Sequence, residues 1–493
     1  MIPRQDEGQR RATADQLSMV QVAREIFAYA LEQSTVERGF ARNVTVEGTV
    51  LRFGAEWVDL NDYDRVRVVA VGKAATPMLT ALMERLPLRP GCDFAAVVAA
   101  PQAPAPLPPG TVYYAGGHPL PNQGSMSAAQ TALEMLLALP RDAASAVRTL
   151  CIFLISGGAS AMMEAPLDAA ISLEDMAAFH RVLVHSGASI AEINCVRKHF
   201  SAVKGGRLAL AAPRGATLLA FLVSDVPKRH WMELGSGPVL PDPTTAEQCH
   251  AVLEHYALME KFPAPVRRFF AQARLPETPK SIASSMGICT LLDSGDLVAA
   301  AQERATQMGF RVLVDNTCDD WDHRPAARYL LERLRAERQC PVPEKSYDAQ
   351  DLRPVCLLSA GEITVQIEGT PGVGGRNQQL ALYAATQIKP EDAPLAVLSA
   401  GSDGVDGNSP AAGAVVDAST LSRAAQIGVD VEHSLATFDS GPVFEALGDS
   451  IITGPTGNNL RDLRVLLGTA WPYKRKTEVP VKRATGETRK PTR

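Results

Sequence analysis

Two cations are notable for where they sit in the chain. Lys73 follows the apolar run 66–71 in Gly72-Lys73-Ala74, and Arg376 closes the glycine-rich stretch Gly372-Val373-Gly374-Gly375. Each is expected to open a helix, where the macrodipole opposes a positive charge by about 0.3–1 kcal/mol. A bound polyanion reverses that penalty; so does a carboxylate partner, or the side chain bends to solvent. Glycines let backbone amides approach a ligand closely, and a helix N-terminus behind them favours an anion, commonly phosphate. The same small-residue chemistry follows other apolar runs: Ser156-Gly157-Gly158-Ala159-Ser160 after 151–155, Ser224-Asp225-Val226-Pro227 after 216–223, and Ser402-Asp403-Gly404-Val405-Asp406-Gly407 after 395–398. Asp225 and Asp403 suit Mg²⁺, which takes one or two carboxylates plus phosphates and water. An Asp beside Gly can equally cap a helix or close a turn, and Asp406 is open to the same two readings.

The elements that must position these residues follow from hydrophobic pattern. The runs 66–71, 151–155, 216–223, 312–315, 355–358 and 395–398 are mostly continuously apolar, as in strands covered on both faces. They alternate with helix-like stretches, which predicts α/β architecture with right-handed crossovers and largely parallel sheets flanked by helices. Ligands of such sheets bind beyond the strands' carboxyl ends. Residues 363–367 alternate and read as an edge or antiparallel strand, and 458–467 read as a short helix after Thr453-Gly454-Pro455-Thr456-Gly457. A first amphipathic helix spans 16–33, while 100–110, with five prolines, reads as a surface loop. Residues 259–287 lose periodicity and mark a passage between two domains, 16–258 and 285–468; 339–354 read as a surface loop. Lys73 and Arg376 then fall one per domain, which places the site in an interdomain cleft.

Composition narrows the function classes. Of 493 residues, 46% are hydrophobic and 21% charged, which excludes a wholly disordered, collagenous or disulfide-stapled chain. The net charge of −5 conceals a tail, 471–493, with eight Lys/Arg against two Glu, leaving −11 on the body. A basic tail over 469–493 is expected to be disordered, as are residues 1–15, and a nucleic-acid partner is excluded for want of a broad basic face. Eight cysteines include no CxxC and read as buried thiols. No signal peptide or membrane span is legible, so the expectation is a cytoplasmic protein without a membrane partner. GxxxxGK[ST], a GxGxxG after a strand, GxSxG and HExxH are all absent. His118 and His199 stand in motif-like settings that also suit ordinary hydrogen-bonded roles. The residues by themselves describe a two-domain α/β protein that binds a phosphorylated ligand, with Mg²⁺ left open.

Taken together, the loops resemble the glycerate 2-kinase family, whose C-terminal part is called the MOFRL domain. The resemblance runs from about residue 18 to 468. It rests on VGKAA (71–75), GGHPLPN (116–122), ISGGASA (155–161), INCVRKHFSAVKGGRLA (193–209), SDVP (224–227), SGPVLPDPTT (236–245), GVGGRNQQLAL (372–382), SDGVDGNSPAAGAVVD (402–417) and TGPTGNNLRDLRVLL (453–467). It implies a Rossmann-like N-terminal domain, a MOFRL-type C-terminal domain and an active site between them. The implied activity is transfer of the γ-phosphoryl of ATP to the 2-hydroxyl of D-glycerate, with Mg²⁺, giving 2-phosphoglycerate. Lys73 and Arg376 become the catalytic pair, and Asp225 and Asp403 the metal carboxylates. Ser156, Gly157, Gly158, Ser160, Arg197 and Lys204 are expected to bind substrate or nucleotide. So are Ser236, Gly237, Gly374, Gly375, Asn377 and Asn458. Partners are then a nucleotide and D-glycerate or a similar hydroxy acid, with the chain a monomer or homodimer, and domain closure is expected to exclude water. The rival readings are a hydroxypyruvate reductase-type oxidoreductase and a non-catalytic binder of a phosphorylated metabolite. Ala159, Lys228-Arg229-His230 and Gln379 depart from the family's pattern.

Overall fold

The computed structural model describes residues 18–139, 147–282, 286–339, 353–367 and 369–470. The tail, residues 1–15 and most of the 339–354 loop lie outside the described residues. The chain opens with α1 (Met19–Gln33), which Ser18 starts through a capping box with Gln21. A three-stranded antiparallel sheet follows: β1 (Val44–Glu47), β2 (Val50–Phe53) and β3 (Glu56–Asp59).

The first large sheet holds β4 (Arg65–Val71), β5 (Asp93–Ala100), β6 (Thr111–Ala115), β7 (Thr149–Ser156), β8 (Thr217–Val223) and β9 (Met286–Leu292). Their spatial order is β6-β5-β4-β7-β8-β9 and every pair is parallel. Counted from β4, this is 3-2-1-4-5-6, a doubly wound order whose direction reverses between β4 and β7. Val66, Val68 and Ala70 enter one core while Val69 and Val71 enter another, which is why the run carries no polar alternation. Its helices include α2 (Ala75–Met83), α3 (Ala159–Met162) and α4 (Ile190–Phe200).

The second sheet holds β10 (Arg311–Val314), β11 (Val355–Ala360), β12 (Leu395–Gly401), β13 (Gly413–Asp417), β14 (Ser450–Ile451) and β15 (Asp462–Gly468), in the order β10-β11-β15-β12-β13-β14. It is mixed rather than largely parallel: only β10 and β11 run parallel, and β15 lies between β11 and β12, antiparallel to both. The expected helix at 458–467 is corrected by this strand. Leu460, Leu463 and Leu467 mimic helical spacing, but every residue of β15 is buried, so no alternation betrays the strand. The expected strand 363–367 is also corrected: it makes a single bridge, Thr364 to Asp322, and otherwise lines a cleft. The helices used below are α5 (Ser294–Gln307), α6 (Arg376–Gln387) and α7 (Val431–Ala436).

The limits expected for the two units shift at both ends. β9 pairs with β8 in the first sheet, so 286–292 belongs to the first unit. The buried face of α1 packs on α5 and on β12, β13 and β15, and Arg24 donates to the Ser450 carbonyl at 2.9 Å. The first helix therefore belongs to the second unit. The stretch 259–287, expected to mark the passage between domains, contains a helix, Ala264–Phe270, whose Phe269 and Phe270 pack on Phe200.

Candidate active site

A cleft of about 1130 Å³ opens where the carboxyl ends of β4 and β7 face those of β11 and β12 and the start of β15. It sits at the reversal point of the first sheet, where a doubly wound fold leaves a crevice. Lys73, His118, Gly158 and Asp225 line it from the first unit; Glu362, Gly374, Gly375, Arg376, Asp403, Asp406 and Asn458 line it from the second.

Lys73 is placed by strand-end contacts. Its amide donates to the Gly157 carbonyl at 2.8 Å, and the Ala74 amide donates to Ser156 Oγ at 3.0 Å. Gly72 has φ of 117°, and a Cβ there would lie 2.3 Å from Ser156 Oγ, so glycine is required. The Lys73 ammonium then spans the cleft to Asp403 Oδ2 at 3.3 Å.

Arg376 opens α6 as expected, but the dipole cost is met inside the protein. Its Nε and one terminal nitrogen bind the two oxygens of Asp462 at 2.6 and 3.0 Å, and the other binds Glu362 at 3.0 Å. Burial works against the guanidinium charge, yet Asp462 and Glu362 outweigh it and hold the group above its ordinary value. Of the alternatives open from sequence, carboxylate pairing is the one realised.

The remaining groups are carboxylates under strain from burial and one imidazole. Asp225 fits only because residue 157 is glycine: a Cβ would lie 2.1 Å from its Oδ2. Burial and then Glu362 push Asp225 up to about 6, and among the described residues no ion pair reaches it. Burial raises Glu362 as well, against the pull of Arg376. Asp406 accepts from the Asn377 and Gln378 amides at 3.0 and 2.8 Å, capping α6, while burial pushes it up to about 7. His118 is lowered by burial and then by Lys73, which keeps its ring neutral near pH 7.

Four acidic side chains, Asp225, Glu362, Asp403 and Asp406, thus line the cleft with two basic ones, Lys73 and Arg376. A bare polyphosphate meets net repulsion here, whereas one carrying a divalent cation does not. Among the described residues no group of three or more His, Cys, Asp and Glu is placed to hold a metal. The donor set therefore fits Mg²⁺ shared with a ligand's phosphates, on one or two carboxylates, rather than an enclosed metal.

Several residues expected to bind ligand make hydrogen bonds and ion pairs within the protein. Ser160 Oγ pairs with Ser236 Oγ at 2.5 Å, and Ser236 donates to Asn194 at 3.0 Å. Lys204 is buried against Glu164, beside His180 and Arg197. Gly237 accepts from the Gly206 amide at 2.8 Å, and Asn377 bonds Asp406 and Ser399. Ser156, Gly157, Ser160, Arg197, Lys204, Ser236, Gly237 and Asn377 do not line the cleft; Gly158, Gly374, Gly375 and Asn458 do. Glu362 and Asp462 were missed. Glu362 stands two residues past the end of β11, a strand-end position like that of Asp225, but the alternation of 363–367 reads as the start of another strand there. Asp462 was hidden within the supposed helix.

Residues 22–271 match a family described as "Domain of unknown function (DUF4147)", and residues 355–462 match the MOFRL family. The D-glycerate 2-kinase of Thermotoga maritima is 35% identical over 402 residues, 81% of this chain and 90% of that protein. The chain belongs to the glycerate 2-kinase family. A crystal structure of a glycerate kinase from Thermotoga maritima superposes with a TM-score of 0.72 at 31% identity, covering 92% of this chain and 99% of that one. A protein of Agrobacterium vitis, 31% identical over 94% of this chain and 97% of its own length, carries the provisional name hydroxypyruvate reductase. Set against the glycerate 2-kinase pattern, the departures fall in different places. Ala159 is buried against Gly235, and Lys228 pairs with Asp293 at 3.2 Å, neither of them lining the cleft. Gln379 does line it, and its amide donates to the Leu435 carbonyl at 2.8 Å. Among the described residues no helix is long and apolar enough to cross a membrane.

Proposed function

We propose that this glycerate kinase family member uses ATP to phosphorylate the 2-hydroxyl of D-glycerate, giving 2-phosphoglycerate. The observation that carries the reading is one cleft lined by Lys73 from the first unit, Arg376 from the second and Asp225, whose affinity for protons is raised by burial and by Glu362 against the pull of Lys73. Phosphoryl transfer needs positioning and charge neutralisation more than covalent chemistry from the protein. Lys73 exchanges Asp403 for the transferring phosphoryl oxygens, since its contact to Asp403 is a single long one at 3.3 Å. Arg376, clamped by Asp462, presents a fixed positive edge to the phosphate or to the glycerate carboxylate. The amides of Gly375 and of Gly158 donate to phosphate oxygens, while the Gly374 amide is held by Asn408 Oδ1 at 2.8 Å and fixes the loop.

The two candidate metal carboxylates divide the work. Asp403, part-exposed and freed from Lys73, would hold Mg²⁺ together with the nucleotide phosphates, and the ion would supply neutralisation of phosphate charge. Asp225, with its affinity for protons raised toward the working pH, accepts the proton of the 2-hydroxyl.

The test is ADP release with Mg²⁺, ATP and D-glycerate, followed by phosphorus NMR to assign the phosphorylated oxygen. Lys73→Ala should lower kcat at least ~100-fold, about 2.7 kcal/mol of transition-state stabilisation; unchanged turnover removes Lys73 from the mechanism. A reductase reading has the doubly wound strand order in its favour. However, β4 is followed by Gly72-Lys73-Ala74-Ala75, where a dinucleotide fold places GxGxxG. Oxidation of NADH by hydroxypyruvate would decide for it.

A further inference from the structure

One side chain in the cleft is not accounted for by that chemistry. Phe438 lines it, and among the described residues it is the only phenyl or indole ring that does. It belongs to no core cluster of the described residues and has no aromatic partner there. Its backbone has φ of 53°, a left-handed conformation that a bulky side chain rarely adopts.

The local geometry says what residue the backbone alone prefers. α7 ends at Ala436, Thr437 caps it, and the Asp439 amide donates back to the Ser434 carbonyl at 2.8 Å. Phe438 thus occupies the position after the cap of a Schellman-type ending, where glycine is the usual residue. A phenylalanine is there in spite of the turn, and its ring is spent on the cleft rather than on the core.

The same segment is tied to the glycine loop before Arg376. The Gly372 amide donates to the Thr437 carbonyl at 3.1 Å, Val373 to Asp439 Oδ1 at 2.7 Å, and Gly441 to the Val373 carbonyl at 2.8 Å. The ring therefore stands beside the loop that leads to the phosphate-facing cation. Val365, Ile367, Pro371 and Val405 also line the cleft and supply apolar surface, with Ile367 and Val405 exposed. A ligand with a polyphosphate at one end and a flat apolar ring at the other matches this wall.

We propose that Phe438 is the platform on which the nucleotide's purine base stacks, with Val365, Ile367 and Pro371 completing an apolar base site. The inference rests on the kinase reading and names where the base end of its nucleotide lies. Stacking on an aromatic ring accepts any base face, so Phe438 contributes affinity for nucleotides as a class more than choice among purines.

Calorimetric titration of the full chain with Mg²⁺–ATP and with Mg²⁺–tripolyphosphate separates the base from the phosphates. Phe438→Ala should weaken ATP binding about 10-fold, equivalent to about 1.4 kcal/mol, and leave tripolyphosphate binding unchanged. Phe438→Gly, which suits the left-handed backbone and so keeps the fold, should show the same loss, and Phe438→Tyr should bind as the wild type does. Unaltered ATP affinity in the Ala and Gly variants, or equal losses for both probes, overturns the proposal. If the unmodified chain binds neither probe, the kinase reading fails first and this one with it.

Discussion

Burial and the neighbouring Glu362 make ionisation of Asp225 expensive, and among the described residues no ion pair offsets them. Its affinity for the proton is raised from 3.8 to about 6, so the folded chain binds that proton more tightly than the unfolded chain does. The sign follows: stability falls as pH rises from 3.8 through 6, and at pH 8 the ionised group costs about 3 kcal/mol. Asp225→Asn should accordingly raise the stability of the ligand-free protein at pH 8 by up to about 3 kcal/mol, and by little at pH 4. Turnover should be lost in the same variant. Urea unfolding at the two pH values measures the first, and equal gains at both would show that burial does not strain this carboxylate.

Among the elements, the turn after α3 and the turn after α4 are joined by charges that never meet solvent. Glu164, fully buried, accepts from Ser201 at 2.6 Å, pairs with Lys204 and lies 3.4 Å from His180. Burial works against its charge, but Lys204 and His180 prevail and hold it down to about 2, so its contribution is present above about 4.5 and is lost as pH falls toward 2. Glu164→Gln should cost about 3–5 kcal/mol by stranding the Lys204 ammonium, and adding Lys204→Met should recover most of it. Urea midpoints of the single and double variants check this; a double variant no better than the single would mean that shape, not charge, joins the turns. Lys204 also shows where sequence reading stops. Its motif is legible, but nothing in the motif tells whether its charge faces a ligand or a buried Glu164 some 40 residues away. Strands β4, β7 and β8 were legible because continuous apolar runs ending in glycine or serine have few other solutions. β15 was not, because a central antiparallel strand covered on both faces leaves no alternation, and its leucines fall at helical spacing. The places of α1 and β9 depend on which distant surface covers them, which local pattern does not encode.

At the scale of the whole molecule, the two sheets are not separate bodies with a hinge between them. One contiguous set of buried apolar residues runs from Ile26 and Phe27 of α1 through Val66 and Val68 of β4 and Leu297 and Ala301 of α5 to Leu358, Leu398 and Val465 of the second sheet. The exchange of α1 and β9 between the expected units builds that shared core. Closing the cleft by rotating one sheet against the other would shear close-packed side chains, which is costly. The cleft is also lined by residues outside both sheets, among them Ile363, Val365, Ile367, Pro371 and Phe438. A shared core also couples the units thermodynamically. Trp57 belongs to the first unit, exposed on β3 in register with Arg52, and Trp321 belongs to the second, beside Tyr329. Variants retaining only one of these tryptophans should unfold in urea at a single common midpoint, coincident with far-UV circular dichroism. Midpoints that separate would mean the units melt independently, and would restore a hinge as the means of closing the cleft.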